Sequence, residues 1–339
     1  MRKILMVSLC TALLAFGGRS ARAEEGKAEV SIKLGTLAPS GSPWHLLLKE
    51  AAQKWRTVSG GRVELKVLPG GTMGDEGEMI RKLRVGLLQA AAISTIGLHV
   101  ITPEPQALDL PLLVNNDEEH EYLVQKMAPQ LDALLEKKGF VVLTWSEIGN
   151  THFFSTKPRP TLPEMRTGKL FCWDGDPSSA DAWRAGGFNT VQLSSTDIVP
   201  SMQTGLIDTV LYPPTLVLSL RINDKAKYMT DIKWSTLTGA TIVDKRAWDR
   251  VPADLRPQLI KIFKELGQKL TTDARRMESE SMAKMKSQGM QEVKIADMAD
   301  WQKMLESVNS SVRGKVVPAA TFDQVHQIVK DFRAQKQKK

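Results

Sequence analysis

Cysteine is almost absent from this chain: of 339 residues only Cys10 and Cys172 are cysteines, and Cys10 falls inside an apolar N-terminal stretch. A single remaining thiol excludes an internal disulfide and a multi-thiolate zinc site. Its place in the middle of an apolar run reads as a buried, unreactive side chain. Catalytic signatures are missing too: there is no G-x-S-x-G nucleophile turn, no H-E-x-x-H, no phosphate loop and no paired-cysteine motif, and the histidines are scattered. An enzyme is therefore the weakest reading. The run Glu118-Glu119-His120-Glu121 does not read as a cation site, because four adjacent helical residues point in different directions; it reads as a solvated helix start. Beyond the N-terminus no apolar run approaches the roughly 20 residues that span a bilayer.

Residues 1–23 read as a secretory signal, with Arg2 and Lys3 before an apolar centre that runs from Ile4 to Phe16, and Ala21-Arg22-Ala23 as an A-x-A cleavage site. A soluble, periplasmic product is expected. Cleavage would remove four basic residues and no acid, leaving 42 Lys and Arg against 38 Asp and Glu and lowering the net charge from +8 to +4. Both signs are interspersed, so this is a solvated surface and no nucleic-acid footprint. The 316 residues left of 339 exceed what one core usually supports, and two lobes are expected.

What is there is a regular alternation. Strands are predicted at 32–35, 62–68 and 87–93, separated by a helix capped by Ser42 with Pro43 at its first position and by another over 75–85. Trp44, Leu47, Leu48, Ala51, Ala52 and Trp55 recur at helical spacing as one packing stripe. Asp75 and Glu76 open the second helix and suit its positive end. A second series follows: strand 169–173, helix 178–185, strand 190–193, a helix capped by Ser195 or Thr196 and ended by Gly205, and strand 206–211. Ile80-x-x-Leu83-x-x-Gly86-Leu87-Leu88-Gln89 corresponds to Val199-x-x-Met202-x-x-Gly205-Leu206-Ile207-Asp208, which points to two lobes of similar design. Residues 117–138 form an amphipathic helix and 140–145 a strand that crosses between lobes near Gly149. From 253 to 289 the helical pattern is uninterrupted, a rod of about 55 Å that must run along both lobes and still permit a hinge. The predicted fold class is thus α/β and two-lobed, a clamshell with a long helix spanning both lobes. Residues 30–150 with 239–275 form the first lobe, and 151–238 with 276–335 the second.

The segments IKLGTLAPSGSPWH, SGGRVELKVLPGGTMGDEGEMIRKLRVGLLQAAAIS, TLPEMRTGKL, MQTGLID and DKRAWDRVPADLRPQLIKIF, in this order, resemble the extracytoplasmic solute-binding subunits of TRAP transporters, the DctP-like family. The resemblance implies two α/β lobes around a cleft, closure on a small-molecule solute, and delivery to small and large integral-membrane subunits driven by a sodium gradient. It implies no cofactor; the chain is expected to act as a monomer.

Against that family, this sequence departs at the ligand. Where the resemblance places a carboxylate-clamping arginine after the KL of the strand, Phe171 stands, or Cys172 if the register slips by one. A second family arginine falls at Thr151, a ligand-facing asparagine at Tyr212 and a small polar residue at Leu37. Burying a carboxylate with no cation costs several kcal/mol, whereas each buried aromatic or aliphatic contact gains roughly 1.5–3 kcal/mol. The expected ligand is therefore apolar or amphipathic and not a C4-dicarboxylate. The expected lining is Leu37, Ser94, Thr95, Thr151, Phe171, Trp173, Tyr212 and Trp234, with hydroxyls of Ser94, Thr95 and Tyr212 orienting one polar head. Two other readings stand beside it: Phe171 fills core while Arg184 or Lys157 clamps a carboxylate, or the fold serves as a lipid carrier or scaffold beside another periplasmic protein. Trp44, Trp173 and Trp234 are also candidates for plain packing.

Overall fold

Two sheets organise the chain, one of five strands and one of six, which correspond strand for strand over five positions. The computed structural model describes residues 28–337, so the expected signal segment lies outside the described residues. The first part runs β1 (Val30–Thr36), α1 (Pro43–Val58), β2 (Val63–Leu68), α2 (Glu76–Arg84), β3 (Ala90–Ser94), α3 (Thr95–Leu98), a 3-10 turn Glu104–Asp109, α4 (Asp117–Lys137) and β4 (Phe140–Asn150). The second runs β5 (His152–Ser155), α5 (Leu162–Arg166), β6 (Lys169–Trp173), α6 (Pro177–Ala185), β7 (Asn189–Leu193), α7 (Ile198–Thr204), β8 (Thr209–Tyr212), α8 (Pro214–Ser219) and β9 (Tyr228–Thr230). The chain then returns through β10 (Thr236–Asp244), α9 (Lys245–Trp248) and α10 (Arg256–Ser287), and ends with β11 (Gln291–Val293), α11 (Met298–Val312) and α12 (Ala319–Gln337).

The first sheet has the order β2-β1-β3-β10-β4, the second β11-β9-β5-β8-β6-β7. In one, β2, β1 and β3 are parallel and β10 antiparallel; in the other β7, β6 and β8 are parallel and β5 antiparallel. The repeat reaches individual bonds. The Lys33 amide donates to the Gln89 side chain (3.1 Å) and the Lys169 amide to the Asp208 side chain (2.8 Å), while the amides of Gln89 and Asp208 return to the carbonyls of Lys33 and Lys169. Gly86 and Gly205 end their helices at φ 77° and 74°, the left-handed region that favours glycine. Both strands begin later than predicted, at Ala90 and Thr209, because Gln89 and Asp208 use side chains in place of a regular ladder. Leu87 and Leu206, counted as strand, are instead exposed.

Helix α10 has 32 residues, somewhat shorter than predicted, and is about 48 Å long. It is unbroken. Leu259, Ile262, Phe263 and Leu266 join the first lobe's core, Leu270, Ala274 and Met277 pack with Trp44, and Met285 enters a core of the second lobe. Gly267 permits its approach to β4, since a Cβ there would lie 2.2 Å from Thr144 Oγ1 and 3.0 Å from the Trp145 carbonyl. The two crossover strands are stapled to each other: the Thr151 amide donates to Ser235 O (2.8 Å), and the Trp234 amide to Thr151 O (2.9 Å). Beside them Glu278 of α10 accepts from the Asn150 amide and side chain, both at 3.1 Å, and lies 3.9 Å from His152.

Two expectations need correction. Helix α11 packs on α6 of the second lobe, but α12 packs on α4 and the 3-10 turn of the first, so residues 276–335 do not all belong with the second lobe. The Glu118–Glu121 start is solvated only in part. Glu119 is buried in a two-pronged pair with Arg333 (2.9 and 2.7 Å), and buried His120 contacts Thr238 (2.9 Å), because this turn of α4 faces α12 and β10.

Candidate ligand-binding site

A cavity of about 660 Å³ lies between the sheets at the carboxyl ends of their parallel strands, with α10 along one side. That volume lies within the range of about 300–1,000 Å³ of small-molecule sites. The first lobe brings Leu37 from the loop after β1, Ser94 from the end of β3, and Gln106 and Asp109 from the 3-10 turn. The second brings Phe171 and Trp173 from β6, Tyr212 from the end of β8 and Asp176 from the cap of α6. Thr151 and Trp234 enter from the crossovers.

Thr95 does not line the cavity. It is fully buried in the first turn of α3, where its hydroxyl donates to Asp109. Two of the hydroxyls expected to hold a polar head are already engaged, Thr95 with Asp109 and Ser94 Oγ with Glu76 (2.7 Å); Thr151 Oγ1, also in the lining, is 3.0 Å from Ser235 Oγ. These groups serve the wall, since a buried hydroxyl without a partner is costly. Phe171 is half-buried: it packs edge-on against Tyr212, ring centroids 6.2 Å apart, and faces the cavity. Trp234 stacks on Trp183 at 5.2 Å and borders the cavity, so packing and lining coincide there. Trp44 likewise packs on α10 and borders the cavity, and its buried Nε1 has no partner.

Trp173 closes one side of the cleft. Its Nε1 donates to Asp75 (3.3 Å), which also accepts from Ser194 (3.1 Å). Its ring lies 2.3 Å from where a Cβ on Gly175 would be, so that position needs glycine, and 3.3 Å from where one on Gly77 would be, a tight approach. On the other side Gln106 Nε2 donates to Asp176 (2.6 Å), with His99 3.7 Å from the same carboxylate. The two lobes are thus tied across the cleft. Asp75 caps α2, accepting from Glu78 N (2.9 Å), as its position suggests; Glu76 instead reaches α3, accepting from the Ser94 amide (2.7 Å) and hydroxyl.

Charge in the lining has one sign. Among the described residues, those bordering the cavity include Glu76, Asp109 and Asp176 and no lysine, arginine or histidine. Burial pushes Asp109 up to about 7, against hydrogen bonds from Thr95 and Thr238 and the charge of His120. Burial raises Glu76 as well, opposed by the Ser94 and Gly97 bonds. For Asp176 burial acts in the same direction, but hydrogen bonds from Ser179 and Gln106 and the charge of His99 outweigh it and leave this carboxyl below its ordinary value. Cys172 is buried and its thiol is pushed up to about 12 by burial, consistent with an inert side chain. Neither cation proposed as a relocated clamp borders the cavity: Arg184 is exposed and bonded to Asp181 (2.7 Å) and Gln192 (2.8 Å), and Lys157 is exposed. Buried Arg159 is committed to Asp208 (2.9 Å) at the start of β8.

The sequence reading missed Gln106, Asp109 and Asp176. Gln106 and Asp109, three apart in a 3-10 turn, share a face, but the prolines around them hide any periodicity. Asp176 before Pro177 carries the ordinary signature of a helix cap, and it is one, accepting from Ser179 N (3.1 Å).

Two α/β lobes tied across a cavity at the carboxyl ends of their strands have the architecture of a two-lobed binding protein. The chain belongs to the family described as bacterial extracellular solute-binding protein, family 7 (DctP), whose model matches residues 34–314. It is 24% identical over 274 residues to the C4-dicarboxylate-binding periplasmic protein DctP of Rhodobacter capsulatus, covering 79% of this chain and 81% of that protein. Its fold is similar to a TRAP periplasmic solute-binding protein of Ralstonia eutropha H16 with bound (S)-2-acetolactate (TM-score 0.82, 20% identity, 89% of this chain and 99% of that one). It is similar also to one of Xanthobacter autotrophicus Py2 with bound β-D-galacturonate (TM-score 0.81, 19% identity, 88% and 99%). The family is one of extracytoplasmic TRAP-type solute-binding proteins and not of enzymes. Among the described residues no helix is long and apolar enough to cross a membrane, and no cluster of His, Cys, Asp or Glu could hold a metal ion.

Proposed function

We propose that this chain is a periplasmic TRAP solute-binding protein that closes on an apolar or amphipathic small molecule instead of a small dicarboxylate, and passes it to the small and large membrane subunits of a permease. One observation carries the reading: the cavity is walled by aromatic and aliphatic side chains and holds three carboxylates with no cation to face an anion. The relatives named above bind carboxylates, and a carboxylate in this cavity would be buried without a partner at a cost of several kcal/mol. Phe171, at the position where the family resemblance expects the clamping arginine, offers a ring in place of a guanidinium.

Calorimetry decides it. Succinate and malate should show no measurable binding, and a long-chain or aromatic compound should bind. Phe171→Arg should bring succinate into the measurable range, a gain of about 10- to 100-fold for one charge-assisted pair. Tight dicarboxylate binding by the unmodified protein would overturn the proposal and leave the family assignment intact.

A further inference from the structure

The polar end of the cavity is itself selective. Gln106 is 7% exposed, and its amide is oriented without ambiguity, because the Asp176 carboxylate only accepts and so must face Nε2 at 2.6 Å. The amide oxygen is left buried in the lining with no partner. Asp109 lies one 3-10 turn further on and on the same face. Its oxygens accept from Thr95 Oγ1 and from the Thr238 amide (3.1 Å), which leaves part of its lone-pair capacity unused. Glu76 adds a third acceptor group to the same lobe's share of the wall. Among the described residues bordering the cavity, the fully buried polar side-chain atoms without a partner are Gln106 Oε1 and the Trp44 indole, and the indole belongs to a separate apolar cluster with Leu270, Ala274 and Met277.

We infer that the ligand carries a hydrogen-bond-donating head, a hydroxyl or an amine, and that the acceptor face of the 3-10 turn, Gln106 Oε1 with Asp109, receives it. This rests on the apolar reading of the cavity and deepens it. A donor satisfies the orphaned oxygen of Gln106, whose Nε2 already ties the second lobe through Asp176, so head recognition and lobe closure meet in one side chain. An anionic or acceptor-only head meets three carboxylates and gains nothing. The environment of Asp109 separates the two donor chemistries. At pH 6 burial keeps much of this group protonated, so an ammonium must displace a proton on binding while an alcohol need not.

Four probes with one tail test this: dodecanol, dodecylamine, dodecyl methyl ether and dodecanoate, titrated at pH 8 by calorimetry or tryptophan emission. Dodecanol, dodecylamine or both should bind at least about tenfold tighter than the ether and dodecanoate, the worth of one buried hydrogen bond. Calorimetry at pH 6 in buffers of different ionisation enthalpy should show proton release with the amine and none with the alcohol. Asp109→Asn keeps the bonds to Thr238 and Thr95 in shape and should cost the amine about tenfold while sparing the ether. Gln106→Leu should weaken both donors more than the ether. An equal loss for all four probes would mean that Gln106 acts through closure alone and would overturn its role at the head. Ether or dodecanoate binding as tightly as the tighter of the two donors would overturn the inference and leave the apolar reading standing. If no dodecyl probe binds and succinate does, the apolar reading itself falls.

Discussion

The first and second lobes repeat one another in backbone and diverge in what they give the cavity. Counting from the equivalent residues Lys33 and Lys169, Gly35 of β1 stands where Phe171 stands in β6, and Leu37 where Trp173 stands. At Gly35 a Cβ would come within 3.0 Å of Leu88 and 3.2 Å of Met79, so the helix side of this sheet is already full. At Phe171 the same strand position has room for a ring that reaches Tyr212. The first lobe supplies most of the acceptors, Glu76, Gln106 and Asp109, beside the Trp44 ring; the second supplies most of the rings, Phe171, Trp173 and Tyr212, beside the single carboxylate of Asp176. The lesson is that a register fixed by main-chain bonds and by Gln89 and Asp208 leaves strand ends free to specialise. An amphipathic ligand then touches unlike chemistries through like scaffolds.

The sharpest way to break the comparison is to truncate the equivalent pair. Trp173→Ala should cost about 3–5 kcal/mol, because the ring is buried against Gly77 of the opposite lobe and donates to Asp75. Leu37→Ala, at a half-buried site, should cost less than about 2 kcal/mol. Thermal denaturation measures both, and small-angle scattering should find the tryptophan variant alone expanded. Equal costs would mean that the lobes do not divide the work.

Acid and base should separate the first lobe from the hinge. Glu278 is held below its ordinary value: burial pushes it up, but the nearby His152 imidazole, 3.9 Å away, and the hydrogen bond from the Asn150 amide outweigh that. It therefore stabilises the protein above the ordinary glutamate range, and that contribution is lost as pH falls through its lowered folded value. Asp109 has the opposite sign. Raised from 3.8 to about 7, it favours folding when protonated, so stability declines as pH rises between those values and stays low above them. Asp109→Asn should raise the stability at pH 8 by about a few kcal/mol, seen as a higher melting temperature, and Glu278→Gln should flatten the acid limb of the stability curve. A lower melting temperature for Asp109→Asn at pH 8 would show that the ionised group is satisfied. The smallest effect is expected at Arg184→Ala, an exposed ion pair worth less than about 0.5 kcal/mol, with no change in ligand affinity.

Much of the fold is legible in the sequence because its signals are local. Ser42 before Pro43, the stripe from Trp44 to Trp55 and the two glycine stops each carry their own physics. The interior of the site is less legible for the opposite reason. Gln106 meets Asp176 across 70 residues of sequence, and Asp109 meets Thr238 across 129; neither pairing leaves a mark in local spacing. Thr95 was placed in the cleft by its position at a strand end. The turn into α3 directs it to Asp109 instead. The second placement of α12 was hidden because an amphipathic helix declares that it packs and does not declare on what.

Helix α10 has a mechanical consequence. A rod of 32 residues with no break and with buried side chains from Leu259 to Met285 cannot stretch or fold when the cleft opens. A cleft that opens on such a rod does so by a swing about the stapled crossovers at Thr151 and Ser235, with side chains sliding over the rod near its middle. Leu270, Ala274 and Met277 lie there against Trp44. The indole sits where side chains slide over the rod, so its surroundings change as the two halves part.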